Sequence, residues 1–392
     1  MPDIRLTQRE ARRFLLKKQG LLGDYRFQGK TGVLTFIRQA GCIQFDPVDV
    51  CGKNAEIVLQ SRVQGFTRSM LEELLYTDRK LLDYFDKNLS VIPVENWKYF
   101  SRQREKHRKE KRSGEEIQQV RDQVLSAIAE KGPLCSADLD FSQKVDWYWN
   151  ETRLSRAVLE HLYFAGELII HHKKGSMKYY DLAENGIPAP ILREPDPYPC
   201  DFDHRKWRVL QRIGSVGLLW NRASDAWLGI DGLTAKERNA VFSSLLSESR
   251  ILCVRVEGSD FPFYCRREDE ELLHACRVPG REACSDPPRC EYIAPLDNMM
   301  WDRDLIKELF GFAYKWEIYT PKSQRQYGSY VLPILYGERF VGRIEMVFDK
   351  KNRELRVLHL WYEPDVQPDK DMEEAIRAAT GRFEKWRKNE SG

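Results

Sequence analysis

A helical stretch that ends in two short extended runs around a polar turn recurs along this chain, and that recurrence limits the folds open to it. The clearest copy begins with a helical pattern over 117–131, closed by Gly132-Pro133. Residues 136–139 read as a short turn of helix. Residues 152–165 read as a third helix with Leu154, Val158, Leu159 and Leu162 on one face, and Gly166 closes it. Leu168-Ile169-Ile170-His171-His172 and Lys178-Tyr179-Tyr180-Asp181-Leu182 then flank Lys173-Lys174-Gly175-Ser176, a hairpin with a basic turn. Three helices followed by a hairpin is the winged-helix pattern.

The pattern returns after a proline-rich linker over 188–199. Residues 203–219 read as a helix interrupted near Gly214 and Gly217. Residues 234–249 read as a second, with Thr234 and Glu237 as a capping box, and 251–256 and 262–266 form a wing around Gly258-Ser259-Asp260. The beginning of the chain has the same helical grammar. Thr7 caps a helix with Glu10 as its partner, 33–38 form a second, 54–64 a third, and Thr67 starts a fourth carrying Met70, Leu71, Leu74 and Leu75. The end differs. Residues 316–320, 330–335, 339–348 and 355–362 are rich in β-formers, with turns at Gly337-Glu338 and Lys350-Lys351-Asn352, and a helix over 369–388 closes the chain.

These readings give an α+β protein of tandem winged-helix (helix-turn-helix) modules with a small C-terminal antiparallel β-sheet or barrel. Module 1 spans 1–95 and a basic linker or helix 96–116. Module 2 spans 117–187, a linker and module 3 span 188–278, and the β domain spans 279–392. A chain of 392 residues is long for one core, and a 42% hydrophobic content is that of a folded protein. The net charge of +3, with 31% charged residues, confines any basic surface to local patches. Residues 96–116 are the densest such patch, suited to a solvated face or to phosphate contact. No apolar run reaches membrane-spanning length, and Met1-Pro2-Asp3-Ile4-Arg5 lacks the apolar core of a signal peptide. The expectation is a soluble cytoplasmic protein without a membrane partner. The nine cysteines are scattered, which fits reduced thiols, and the gaps between Cys265, Cys276, Cys284 and Cys290 exceed those of a zinc site. His171 and His172 read as ordinary strand residues. No metal and no cofactor are expected.

Between helical segments lies Ala40-Gly41-Cys42-Ile43-Gln44-Phe45-Asp46-Pro47-Val48-Asp49-Val50, short and extended, broken by Gly and stopped by Pro. On its local sequence Asp46 is an Asp-Pro turn initiator and Gln44 a capping or surface amide. Downstream stand Ala294-Pro295-Leu296-Asp297-Asn298, Trp301-Asp302-Arg303, Leu309-Phe310-Gly311-Phe312, Glu317-Ile318-Tyr319-Thr320-Pro321, Tyr330-Val331-Leu332-Pro333 and Val341-Gly342-Arg343. Taken together, in this order, these segments resemble the AlkZ/YcaQ family of winged-helix DNA glycosylases, in its YcaQ-like branch with a Gln–apolar–Asp motif. The resemblance implies winged helices forming a concave DNA cleft and excision of alkylated purines, notably N7-alkylguanine. It also implies unhooking of interstrand crosslinks, in base excision repair. Members of that family often carry aromatic–His–Glu ahead of the Ser and Pro matching Ser90 and Pro93; here the stretch reads Phe85-Asp86-Lys87-Asn88-Leu89-Ser90.

The chemistry suits these residue types. N7-alkylation makes guanine a good leaving group, so the remaining tasks are stabilising an oxocarbenium-like sugar and delivering water. A carboxylate at Asp46 offsets the charge and accepts the water proton, and an amide at Gln44 holds that water. Side chains two apart on an extended run share a face. The expectation is a monofunctional glycosylase leaving an abasic site, acting as a monomer at the nucleoid on duplex DNA with alkylated or crosslinked bases. Candidate DNA contacts are Arg62, the wing lysines Lys173, Lys174 and Lys178, and Lys322, Arg325 and Tyr327 in a predicted hairpin tip. The competing reading is a winged-helix transcription regulator that binds DNA without chemistry. A third is an inactive repair scaffold.

Overall fold

The computed structural model describes residues 4–148, 150–277 and 288–389. Cys284 and the first residues of the expected β domain lie outside the described residues. The chain divides into two compact units. One joins residues 1–71, 85–91 and 200–392, and the other joins 72–84 and 92–199. The expected module 1 is therefore split, with 72–84 and 92–95 in the smaller unit beside the basic linker, module 2 and the linker over 188–199, while the rest of module 1, module 3 and the β domain belong to the larger one.

In the larger unit the Thr7 cap is complete. Its hydroxyl accepts from the Glu10 amide and the Glu10 carboxylate accepts from the Thr7 amide, opening the helix Gln8–Lys18. Helix Gly29–Ala40 ends at Gly41, whose φ of +75° is left-handed and favours glycine. Helix Asn54–Gln60 stops earlier than expected because Val63–Gln64 pairs in parallel with Phe27–Gln28. Helix Asp201–Val216 runs through Gly214 without interruption and ends at Gly217. Thr234 caps helix Ala235–Ser247, but Glu237 turns its carboxylate to Arg205. Ile251–Val256 and Pro262–Arg266 pair antiparallel at the expected bounds, and Ile4–Leu6 adds to the first in parallel, a pairing over residues too distant for sequence periodicity to reveal.

The C-terminal sheet is antiparallel, in the order Cys290–Tyr292, Val331–Tyr336, Arg339–Asp349, Glu354–Tyr362. Helix Lys370–Asn389 turns Ile376, Ala379, Phe383 and Trp386 inward. Residues 316–320, expected as a strand, form an irregular stretch and turn instead. Glu317 accounts for this. Its carboxylate accepts from the amides of Gln326 and Tyr327, which closes a loop rather than a ladder.

The smaller unit holds helices Gly114–Lys131 and Leu154–Phe164 and the hairpin Leu168–Lys174 with Met177–Leu182. Residues 136–139, expected as a turn of helix, form a non-helical turn. The Asp138 carboxylate accepts from the Cys135 amide and competes with helical bonding. The chain passes between the units through a hairpin that sequence patterning missed, Leu81–Asp86 with Asn88–Pro93. Neither strand shows clean alternation, because most of their side chains, Asp86 and Ser90 included, are buried. No described helix is long and apolar enough to cross a membrane.

Candidate active site

The short strand Ile43–Gln44 pairs with the returning arm of this hairpin, Ile43 opposite Val91 and Gln44 opposite Ser90. The Phe45 amide then donates to Leu89 O at 2.9 Å. Gln44 is buried, at 6% exposure, and Asp46 is half-buried. Pro47 has no N–H, so the next amide, Val48, donates to Asp46 Oδ1 at 2.9 Å. The Asp-Pro turn read from local sequence is thus present, and it engages one carboxylate oxygen. Burial raises the Asp46 pKa and the Val48 hydrogen bond opposes it. Asp49, three residues on, differs. Burial raises its pKa too, but Arg387 at 3.2 Å and Lys350 at 2.9 Å outweigh that and hold it below the usual range. Asp49 is a neutralised structural acid, whereas Asp46 has no cation within ion-pair distance among the described residues.

Two asparagines tie this strand to a distant segment. Asn54 Nδ2 donates to Gln44 O at 2.8 Å while its Oδ1 accepts from the Leu296 amide at 2.9 Å. Asn298 Nδ2 donates to Cys42 O at 2.8 Å across 256 residues. Residues 294–303 therefore brace residues 42–46 directly. The two sequence segments that carry the family resemblance are one construction in space. Asn54 has a backbone partner at both ends of its amide, and Asn298 has one for its Nδ2 group.

Beneath Gln44 lies a cationic cluster. Asp86 receives Arg208 at 2.6 Å and Arg212 at 2.7 Å. Burial alone would raise its pKa, but the two guanidiniums hold it low. Gly229, at φ +79°, approaches Asp86 so closely that a Cβ there would lie 2.2 Å from the Asp86 carbonyl oxygen. This lets Arg208 donate to the Gly229 carbonyl as well, at 3.1 Å. Lys87 Nζ donates to Gln44 Oε1 at 3.1 Å and stands 5.3 Å from the Trp301 ring centroid. The hairpin turn that carries Lys87 has Asn88 at φ +57° and is tied by the Ser90 hydroxyl, which donates to Lys87 O at 3.1 Å. The sequence marked this stretch only as a departure from the family pattern. A lysine beside an aspartate between two runs rich in apolar residues was the available signal.

The candidate DNA contacts separate by what else their side chains do. Arg62 is corrected. It is wholly buried, 2.7 Å from Asp297, with Gln19 and Val58 as further partners, so it cannot reach a phosphate. Lys173 is held by Asp83 at 2.7 Å, and Lys178 lies over the Tyr163 ring with its charge disfavoured by burial. Lys174 is exposed. In the loop over 317–328, Arg325 turns inward to donate to Thr320 O at 2.8 Å, and Tyr327 packs against Trp361 and Arg343. Lys322 is exposed, and so is Tyr319, at 82%, the most exposed large apolar side chain described and one that sequence reasoning did not single out. In residues 96–116, Arg104 is buried against Trp97, Arg102 pairs with Asp196, and Arg108 and Lys109 pair with Glu105. His171 and His172 sit on the strand Leu168–Lys174 with their Nδ1 atoms 2.8 Å apart. Among the described residues no group of three or more His, Cys, Asp or Glu gathers as metal ligands would.

The profile of the family described as DNA glycosylase AlkZ-like matches residues 37–386. The solved structure of the Streptomyces sahachiroi DNA glycosylase AlkZ is similar in fold, with a TM-score of 0.62 at 16% identity, covering 98% of this chain and 97% of that one. The matched stretch takes in Gln44, Asp46, the hairpin behind them and the segment that braces them, and on that match the chain belongs to the AlkZ-like DNA glycosylase family.

Proposed function

We propose that this glycosylase hydrolyses the N-glycosidic bond of N7-alkylated purines in duplex DNA, crosslinked bases included, and leaves an abasic site. The observation that supports the reading most is the contrast between Asp46 and Asp49. Asp46 keeps a carboxylate oxygen without a protein partner among the described residues, beside an amide, while Asp49 is neutralised. In the proposed step a water oxygen attacks C1′. The C1′–N9 bond breaks, its electron pair neutralises the alkylated base, and Asp46 takes the water proton. Before that transfer the ionised carboxylate also offsets charge developing on the sugar. Burial of Asp46 strengthens both effects by lowering the local dielectric.

The helix-and-hairpin stretches act as winged-helix modules in this reading, with Lys174, Lys322 and Tyr319 as exposed side chains that meet the duplex. A bulky adduct is reached at its sugar rather than swallowed in a deep pocket. The test is an oligonucleotide with one N7-methylguanine or one mustard crosslink, followed by alkaline cleavage at abasic sites. Strand scission that disappears in Asp46→Asn supports the reading. Full scission in both Asp46→Asn and Gln44→Ala removes these residues from the chemistry, and duplex binding without scission favours a non-catalytic DNA-binding role.

A further inference from the structure

One buried group at this site has no part in the step above. Lys87 is 4% exposed. Its Nζ meets Gln44 Oε1 and the Trp301 ring, and among the described residues no carboxylate lies within ion-pair distance. The groups that face it electrostatically are Arg212 on helix Asp201–Val216, Asp225 on the turn Asp225–Trp227, the Cys42 thiol, and Arg303 on helix Arg303–Phe310. An ammonium buried among more cations than anions is costly, and a methionine would fill the same space without that cost.

We propose that Lys87 is a positioning residue for glycosidic hydrolysis, fixing the Gln44 carboxamide with its carbonyl inward and its NH2 group toward the reacting water. The proposal rests on the reading of Gln44 and Asp46 given above. A lysine offers donors only, so the oxygen of the amide must face it. Gln44 Nε2 has no protein partner among the described residues and is the end left for a ligand. The water then accepts from Gln44 and donates to Asp46, so the two side chains have separate tasks. The ammonium also draws electron density from the amide, which makes the NH2 group a stronger donor. Burial, then Arg212, pushes the Lys87 pKa down to about 8. The polarisation therefore weakens as pH rises through that value, and the rate of base release falls with it.

The experiment is single-turnover excision of N7-methylguanine on both sides of pH 8, for the unaltered protein and for Lys87→Met and Lys87→Arg. Lys87→Met is expected to lose about tenfold in the chemical step, with duplex affinity within about twofold, and to lose the alkaline decline. Lys87→Arg is expected to recover most of the rate and to hold it above pH 8, because a guanidinium stays charged. A Lys87→Met rate and pH profile equal to those of the unaltered protein overturn the proposal. A borohydride-trapped covalent adduct through Lys87 also overturns it, by making the amine a nucleophile. If Lys87→Met fails to fold, Lys87→Arg decides alone, since an alkaline decline still near pH 8 excludes Lys87 as its source. Excision that survives Asp46→Asn overturns the reading of the whole site. A normal Asp46 effect beside an unchanged Lys87→Met profile overturns only the role of Lys87.

Discussion

Lys173 and Lys87 both stand on hairpins, and the two lysines have opposite surroundings. Near the end of Leu168–Lys174, Lys173 meets the Asp83 carboxylate at 2.7 Å. Between Leu81–Asp86 and Asn88–Pro93, Lys87 meets a neutral amide and an aromatic face, with Arg212 and Arg303 among its neighbours. The first satisfies its charge locally. The second leaves its charge dependent on pH and passes the effect to Gln44. The difference shows why a count of basic residues says little about function. What a cation can do is set by whether an anion already holds it.

The comparison can be broken most severely at Asp46. Asp46→Asn should slow excision by about 10²–10⁴-fold, the usual range for a lost general base, read as single-turnover base release. Because burial raises the Asp46 pKa, the acid limb of the rate should lie above the usual carboxylate range, with activity falling as pH falls through it. The same shift means that the ionised form weakens the fold above that pKa. Asp46→Asn should therefore be more resistant to urea at neutral pH than the unaltered protein. Lower resistance would show that the carboxylate is structural.

Next in size is Asp86→Ala, which leaves Arg208 and Arg212 buried without their anion and should cost about 3–5 kcal/mol in urea unfolding. Its depressed pKa gives the sign with pH. The stabilisation is present at neutral pH and is lost as pH falls through the folded value. Smaller effects sharpen the contrast between free and paired cations. Lys174→Ala or Lys322→Ala should each reduce the salt slope of duplex binding by about 0.9. Lys173→Ala should leave that slope unchanged, because Asp83 already neutralises it. Equal slopes for Lys173→Ala and Lys174→Ala, measured by fluorescence anisotropy across a salt series, would show that this hairpin does not distinguish its lysines. Tyr319→Ala should weaken duplex binding modestly and alter the salt slope least of all, since a neutral ring releases no counterions.

Local patterns read several helices and hairpin strands well. The Thr7–Glu10 box and the strands Ile251–Val256 and Pro262–Arg266 stand where capping and β-propensity put them. Alternation failed at Leu81–Asp86 and Asn88–Pro93, because burial of most side chains removes the polar face that alternation needs. The strand expected over 316–320 failed because Glu317 captures later amides, an interaction between residues that periodicity does not connect.

By itself the sequence determined the chemical inventory: an amide and an acid two residues apart ahead of a proline, with Asn298 and Trp301 far downstream. Tertiary structure alone decided which of these groups are available. Arg62 is a buried partner of Asp297, Asp49 is quenched while Asp46 is not, and Lys87 lies against Gln44. The physical reason is that residue type fixes what a group can donate, accept or ionise. Whether it does so depends on desolvation and on partners, which folding brings from distant parts of the chain.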